Sequence, residues 1–165
     1  MRIVLETERL FLRTTDADIL DSMVALWSDP EVTRHIGGPR DPQRVREGGA
    51  EDIGVDEPFM LWPLVLKSTG EPIGHCGLLE KQFNGAREIE LIYVLAAPAW
   101  GHGYAREIGV ALIDHGQSLG LNRLVALIAP ENTASIRTAK TLGFAFEREV
   151  ARDDGSIKHL YAIAL

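Results

Sequence analysis

The spacing of apolar residues along the chain predicts short strands and amphipathic helices. Alternating apolar and polar positions over residues 5–13 predict a first strand. Apolar residues that recur about every 3.6 positions over residues 16–27 predict a helix ending before an Asp-Pro pair. Residues 39–53 favour a second, shorter and more polar helix, although two adjacent glycines weaken this interpretation.

Three apolar, β-rich runs follow. Residues 59–67 and 71–80 are separated by a Ser-Thr-Gly turn, and an Asn-Gly turn precedes residues 88–95. Short turns of this composition join neighbouring antiparallel strands. Residues 59–95 therefore predict a three-stranded antiparallel meander.

The remaining pattern alternates between helices and strands. In chain order it predicts a helix, a strand, a helix and two strands over residues 103–119, 123–129, 133–142, 144–151 and 158–165. A strand, a helix and a strand in direct succession imply one parallel pairing. The predicted fold class is therefore α+β, with a mixed, mostly antiparallel central sheet flanked by helices.

Length and composition narrow the class of protein. With 165 residues, of which 45% are apolar, the chain suits one domain spanning residues 1–165. No run approaches the ~18 apolar residues of a membrane span, and the first residues lack a signal-peptide core, so we expect a cytoplasmic protein with no membrane partner. The single cysteine, Cys76, excludes an internal disulfide. A net charge of −7 argues against nucleic-acid partners, because Lys and Arg supply most of their affinity.

A glycine-containing turn between a predicted strand and a predicted helix is the segment most indicative of chemistry. It reads Trp100-Gly101-His102-Gly103-Tyr104-Ala105. The start of a helix presents unpaired backbone N–H groups and the positive end of the helix dipole, which together attract anions. Gly101 and Gly103 lack the Cβ atoms that would keep a phosphate away from the backbone. The turn is therefore a candidate phosphate site.

These residues resemble the signature [QR]-x-x-G-x-[GA] of the GNAT superfamily of acetyl-coenzyme A-dependent N-acetyltransferases. Trp100 replaces the usual Gln or Arg, as is common in the RimJ/RimL-like branch. Asn-Thr-Ala-Ser at residues 132–135 and Leu-Gly-Phe at residues 142–144 are similar to the family's N-x-x-S/A helix and its ending. Residues 5–13 and 27–32 also resemble this branch, so the resemblance covers nearly the whole chain.

The resemblance implies a GNAT fold in which two parallel strands splay apart at the cofactor site. Acetyl-CoA would be the cosubstrate, with no metal. Pantetheine would pair with the first strand, the diphosphate would lie on the signature, and Asn132 would either bind pantetheine or cap its helix. The implied cofactor-binding residues are Tyr93, Val94, Leu95, Trp100, Gly101, His102, Gly103, Tyr104, Ala105 and Asn132.

Direct transfer of acetyl to a primary amine needs a base and a group that stabilises the leaving thiolate. Glu90 matches the acidic residue of the family's strand, and the alternative is that it serves as a structural ion-pair partner. Glu88, on the same strand face, is the substitute base, acting directly or through water. Many relatives carry a tyrosine where this chain has Ala139, which leaves Ser135 as the second catalytic candidate or as a helix-capping serine.

The resemblance implies that the acceptor is a primary amine, either of a small molecule or of a protein N-terminus, and it also allows a homodimer. An alternative function is a non-catalytic sensor or scaffold that binds acyl-CoA. Residues 1–82 carry 15 acidic and 9 basic side chains, whereas residues 83–165 carry 9 and 8. The acidic excess either forms solvated helix faces or attracts a cationic acceptor.

Overall fold

Eight strands form one mixed sheet in the computed structural model, which describes residues 1–165, in the order β1-β2-β3-β4-β5-β6-β8-β7. The strands are β1 (Ile3–Glu6), β2 (Leu10–Arg13), β3 (Leu61–Leu66), β4 (Pro72–Phe83), β5 (Ala86–Leu95), β6 (Arg123–Ile128), β7 (Ala145–Ala151) and β8 (Ile157–Ala164). The helices are α1 (Leu20–Ser28), α2 (Pro42–Glu51), α3 (Tyr104–Ser118) and α4 (Thr133–Thr141). None of the four helices combines the length and apolarity needed to cross a membrane.

The predicted mixed sheet is confirmed. β5 and β6 run parallel, and every other neighbouring pair is antiparallel. The meander of β3, β4 and β5 includes the predicted turn at Asn84 and Gly85, whose φ angles of 51° and 79° suit a tight hairpin. Both predicted N-terminal helices are also present.

The single strand predicted over residues 5–13 is wrong, because the segment folds as the hairpin of β1 and β2. Thr7 causes the break by bonding to Leu10 three residues away. Its N–H donates to the Leu10 carbonyl over 2.9 Å, and its hydroxyl accepts the Leu10 N–H over 3.1 Å. Such local bonds compete with an extended strand, and apolar alternation does not register them.

The two faces of the sheet have different coverings. Ile108 and Leu112 of α3 are fully buried in the main core, which includes Trp62 of β3. On the other face, Met23 of α1 packs in a smaller cluster with Val65. α1 packs on only part of this second face. The charged side chains of the candidate site lie on the remaining part, which β5, β6 and β8 form.

Candidate active site

The gap between β5 and β6 is the central feature of the site. The two strands pair only at Glu90 and Val125. Ala96 donates its N–H toward β4 over 2.9 Å. The N–H and C=O groups of successive residues in a strand point to opposite sides, so those of Tyr93 and Leu95 point toward β6. These groups therefore line the gap.

Val94 differs from its neighbours in the predicted cofactor-binding set. It pairs with His75 in the antiparallel ladder between β4 and β5. Since it lies two residues from Ala96, its backbone groups also face β4. The structure thus directs the main chain of Val94 away from the gap.

Glu90 lies where the two strands separate. The Leu127 N–H of β6 donates to its Oε1 over 3.3 Å, in place of a ladder bond to β5. The side chain is 91% buried and forms no salt bridge, although Lys81, Arg152 and Lys158 are near enough to favour its anionic form. Burial outweighs these charges and raises the pKa of Glu90.

Glu88 is held in an ion-pair network. Its two carboxylate oxygens each accept a hydrogen bond from Arg123 over 3.1 Å. Arg123 also donates two 2.7 Å bonds to Glu147 of β7. Of the two carboxylates that the sequence singles out, only Glu90 has no cation bonded to it.

Tyr93 and Ser135 meet on the opposite face of β5. The Tyr93 hydroxyl lies 3.2 Å from both Oγ and the carbonyl oxygen of Ser135. Burial raises the pKa of Tyr93. Residue 139 is a buried alanine, so the phenol beside Ser135 comes from β5 and not from α4. The sequence analysis placed Tyr93 among the cofactor-binding residues without this contact, which joins residues 42 positions apart.

Asn132 caps α4. Its Oδ1 accepts the Ser135 N–H over 3.3 Å, as one of the two predicted alternatives requires. Its side-chain amide nitrogen has no bond within the protein and remains available to a ligand.

The loop before α3 forms a concave backbone surface. Gly101 and Gly103 have φ angles of 78° and 79°, in the left-handed region that favours glycine. A Cβ at Gly101 would meet no atom within 4 Å, and no side chain caps the first turn of α3. Trp100 holds the loop to β5 by donating its indole N–H to the Leu95 carbonyl over 2.9 Å. The available N–H groups fit the diphosphate of acetyl-CoA.

Arg9, in the turn between β1 and β2, reaches this loop from a distant part of the chain. Its Nη1 donates to the His102 carbonyl over 3.0 Å, and its Nε donates to Glu107 over 2.7 Å. The guanidinium carbon lies 4.6 Å from the centre of the Tyr104 ring, which also stacks on the His102 ring. The sequence analysis missed Arg9 as a site residue, although it lies in the segment that resembles the RimJ/RimL-like branch.

Several acidic side chains of the N-terminal half are engaged in ion pairs. These pairs are Arg13 with Asp16 and Asp18, Arg46 with Asp21, and Arg2 with Asp56. The pairs support the interpretation of the acidic excess as surface structure.

Comparison with known proteins identifies the family of this chain. Residues 9–145 match the family model described as an acetyltransferase (GNAT) domain. The uncharacterized N-acetyltransferase p20 of Bacillus licheniformis is 35% identical, over 98% of this chain and 94% of that protein. The chain therefore belongs to the GNAT acetyltransferase family.

Two solved structures share the fold. A GNAT acetyltransferase from Bacillus anthracis has a TM-score of 0.82 and 22% identity, over 99% of this chain and 98% of that one. RimL, a ribosomal L7/L12 alpha-N-protein acetyltransferase solved with coenzyme A, has a TM-score of 0.79 and 17% identity over the same shares. The predicted GNAT fold is confirmed.

Proposed function

We propose that this protein is a single-domain N-acetyltransferase that moves acetyl from acetyl-CoA directly to a primary amine. The observation that carries the proposal is the buried, unpaired carboxylate of Glu90 at the point where β5 and β6 separate. The fold likeness to RimL, an alpha-N-protein acetyltransferase, is consistent with an amine acceptor. The acceptor amine belongs to a small molecule or to a protein N-terminus.

The chain offers three groups of contacts to the cosubstrate, whose thioester supplies the acetyl group. Backbone groups of Tyr93 and the N–H of Leu95 would pair with pantetheine in the gap, while the Leu95 carbonyl is already bonded to the Trp100 indole. The N–H groups over residues 101–105 would hold the diphosphate. The free amide nitrogen of Asn132 would donate to a pantetheine carbonyl. These assignments use the residues that the family resemblance implies, without Val94.

Glu90 is the general base of the proposed reaction. An α-amine has a pKa of roughly 7.7–8.0 and a lysine amine about 10.4, so both arrive largely protonated. Burial brings the pKa of Glu90 closer to that of the ammonium ion, which makes proton transfer easier. The amine nitrogen then bonds to the acetyl carbon as the carbon–sulfur bond breaks, and the second proton of the nitrogen passes to solvent to leave the neutral amide.

Tyr93 and Ser135 stabilise the leaving sulfur from the other face of β5. The Tyr93 phenol stays protonated at neutral pH, because burial raises its pKa above an ordinary value of about 10. Its O–H donates a proton to the thiolate and is replenished from solvent, while the Ser135 hydroxyl bonds to the phenol oxygen. The removal of the first ammonium proton and the protonation of the thiolate therefore both use side chains of this protein.

Arg9 supplements the backbone N–H groups at the diphosphate. A cation at the start of a helix is normally unfavourable, and the Glu107 carboxylate offsets that cost here. The guanidinium is 44% exposed, so one side of it can meet a phosphate while the other side holds the loop.

We expect acceptor-dependent release of coenzyme A when the protein is incubated with acetyl-CoA and a panel of primary amines and peptides. Thiol release is measured colorimetrically, and cofactor binding is measured separately by calorimetry. Cofactor binding without thiol release for any acceptor would identify a non-catalytic acyl-CoA-binding protein instead.

The Glu90→Gln variant should lose about 10²–10⁴-fold in kcat/KM for the amine, with an unchanged dissociation constant for acetyl-CoA. The carboxylate form exists only above the raised pKa of Glu90, so the wild-type rate rises as pH passes through that value, and the variant lacks this rise. Glu88→Gln is the matched control and keeps it. A pH profile unaffected by Glu90→Gln would eliminate Glu90 as the base.

Removing the Tyr93 hydroxyl by Tyr93→Phe should lower kcat by about 100-fold, because the thiolate then leaves without its proton donor. Ser135→Ala should have a smaller effect, and neither change should alter acetyl-CoA binding. Tyr161→Phe removes a hydroxyl from a buried tyrosine elsewhere in the sheet and serves as the control. Wild-type turnover in Tyr93→Phe would contradict the assignment.

For Arg9→Ala, kcat/KM should fall about 10-fold with acetyl-CoA and remain unchanged with S-acetylpantetheine, which has no diphosphate. Arg9→Lys should recover part of the loss, and Arg44→Ala on α2 controls for the loss of a surface charge. Equal losses with both donors would show that Arg9 only holds the loop in place.

A further inference from the structure

Two lysines share the face of the sheet that carries Glu90. Side chains two residues apart on a strand point to the same face. Lys81 of β4 is two residues from Leu79, which is the cross-strand partner of Glu90. Leu160 of β8 also lies on that face, as the register of β8 with β6 and of β6 with β5 shows. Lys158 is two residues from Leu160 and therefore shares the face. A positive charge therefore lies on either side of Glu90.

A polar cleft of about 400 Å³ lies at the Lys81 end of this face, between the β4–β5 turn and the β7–β8 turn. Lys81 lines it from one turn and Arg152 from the other. The Arg152 guanidinium carbon lies 5.8 Å from the centre of the Phe83 ring, which belongs to the apolar cluster of this face. The cleft therefore presents two cations from separate hairpins.

None of the three cations is neutralised by an ion pair. Lys81, Arg152 and Lys158 take part in no salt bridge. The Lys158 Nζ donates to the carbonyl oxygen of His35, in the α1–α2 loop, over 2.7 Å. Asp154 is near enough to Arg152 and Lys158 to interact with their charge, but no carboxylate forms a salt bridge with any of the three cations, so they can still bind the anionic group of a ligand.

The cleft also contains negative charge. Asp153 and Asp154 lie in the β7–β8 turn, and both are exposed. Asp154 Oδ1 accepts bonds from the N–H and hydroxyl of Ser156, over 2.8 and 2.6 Å, so it stabilises the turn. Positive and negative groups thus lie side by side, an arrangement that suits a ligand with both signs of charge.

We propose that the amine acceptor also carries a carboxylate, as an α-amino acid does. Lys81 and Arg152 hold that carboxylate, Lys158 adds to the positive potential, and the amine faces Glu90. The inference rests on the proposed acetyl transfer and names the substrate class of the same site. A diamine or other purely cationic acceptor has no carboxylate for Lys81 and Arg152 to bind.

The test compares each amino acid with the amine that its decarboxylation leaves. L-phenylalanine is paired with phenethylamine, and L-leucine with isopentylamine. In the wild type we expect kcat/KM to be at least about 10-fold higher for the amino acid, the size of one charge-assisted hydrogen bond. Lys81→Met and Arg152→Met should each reduce that ratio about 10-fold, and the comparison is made within each variant because loss of either charge also raises the pKa of Glu90 and so affects both acceptors.

Arg44→Met, on the exposed surface of α2, is the matched control and should preserve the wild-type ratio. The change in ratio on substitution is decisive, because it cancels the difference in basicity between the two amines. Equal ratios in wild type and both variants, or a preference for the plain amines, would overturn this inference and leave acetyl transfer intact. Failure of acetyl transfer itself would appear as no thiol release with either class of acceptor.

Discussion

The hydrogen bond from the Leu127 amide to the Glu90 carboxylate makes the divergence of β5 and β6 compatible with a stable sheet. When two parallel strands part, ladder amides lose their partners, and a buried amide without one costs about 1–3 kcal/mol. A side-chain carboxylate meets that requirement here. The same contact holds Glu90 at the start of the gap, where burial raises its pKa even though the hydrogen bond from Leu127 acts in the opposite direction. One interaction therefore supports the sheet and fixes the position of the proposed base.

The alternation of β5 extends this arrangement across the sheet. Glu90 and Tyr93 are three residues apart, so their side chains lie on opposite faces of the strand. Glu90 lies on the face that carries Lys81 and Lys158, whereas Tyr93 meets Ser135 at the first turn of α4. A thioester held in the gap would have the base on one side and the proton donor on the other. Under the proposed mechanism, the two proton transfers would take place on opposite faces of β5.

The N-terminal hairpin links the start of the chain to the proposed cofactor loop. Glu107, in the first turn of α3, accepts bonds from the Thr7 hydroxyl over 2.6 Å and from the Arg9 backbone N–H over 2.9 Å. Thr7 also interrupts the strand that the sequence predicted over residues 5–13. The same residue therefore breaks the strand and holds the hairpin against α3. A continuous strand over residues 5–13 would lack this turn.

Interactions between residues that are close together in the chain determined much of what the sequence could predict. The hydrophobic period, the turn residues and the glycine loop each involve only a few residues that are neighbours in the chain. These patterns were enough to predict the helices, the meander, the mixed sheet and the family. The same local information nominated Glu90 but did not distinguish it from Glu88 on the same strand face. Only the tertiary structure made that distinction, by pairing Glu88 with Arg123 and leaving Glu90 without a cation bonded to it. The contacts of Tyr93 with Ser135 and of Arg9 with Glu107 join residues 42 and 98 positions apart, and their geometry exists only once the sheet and helices have packed.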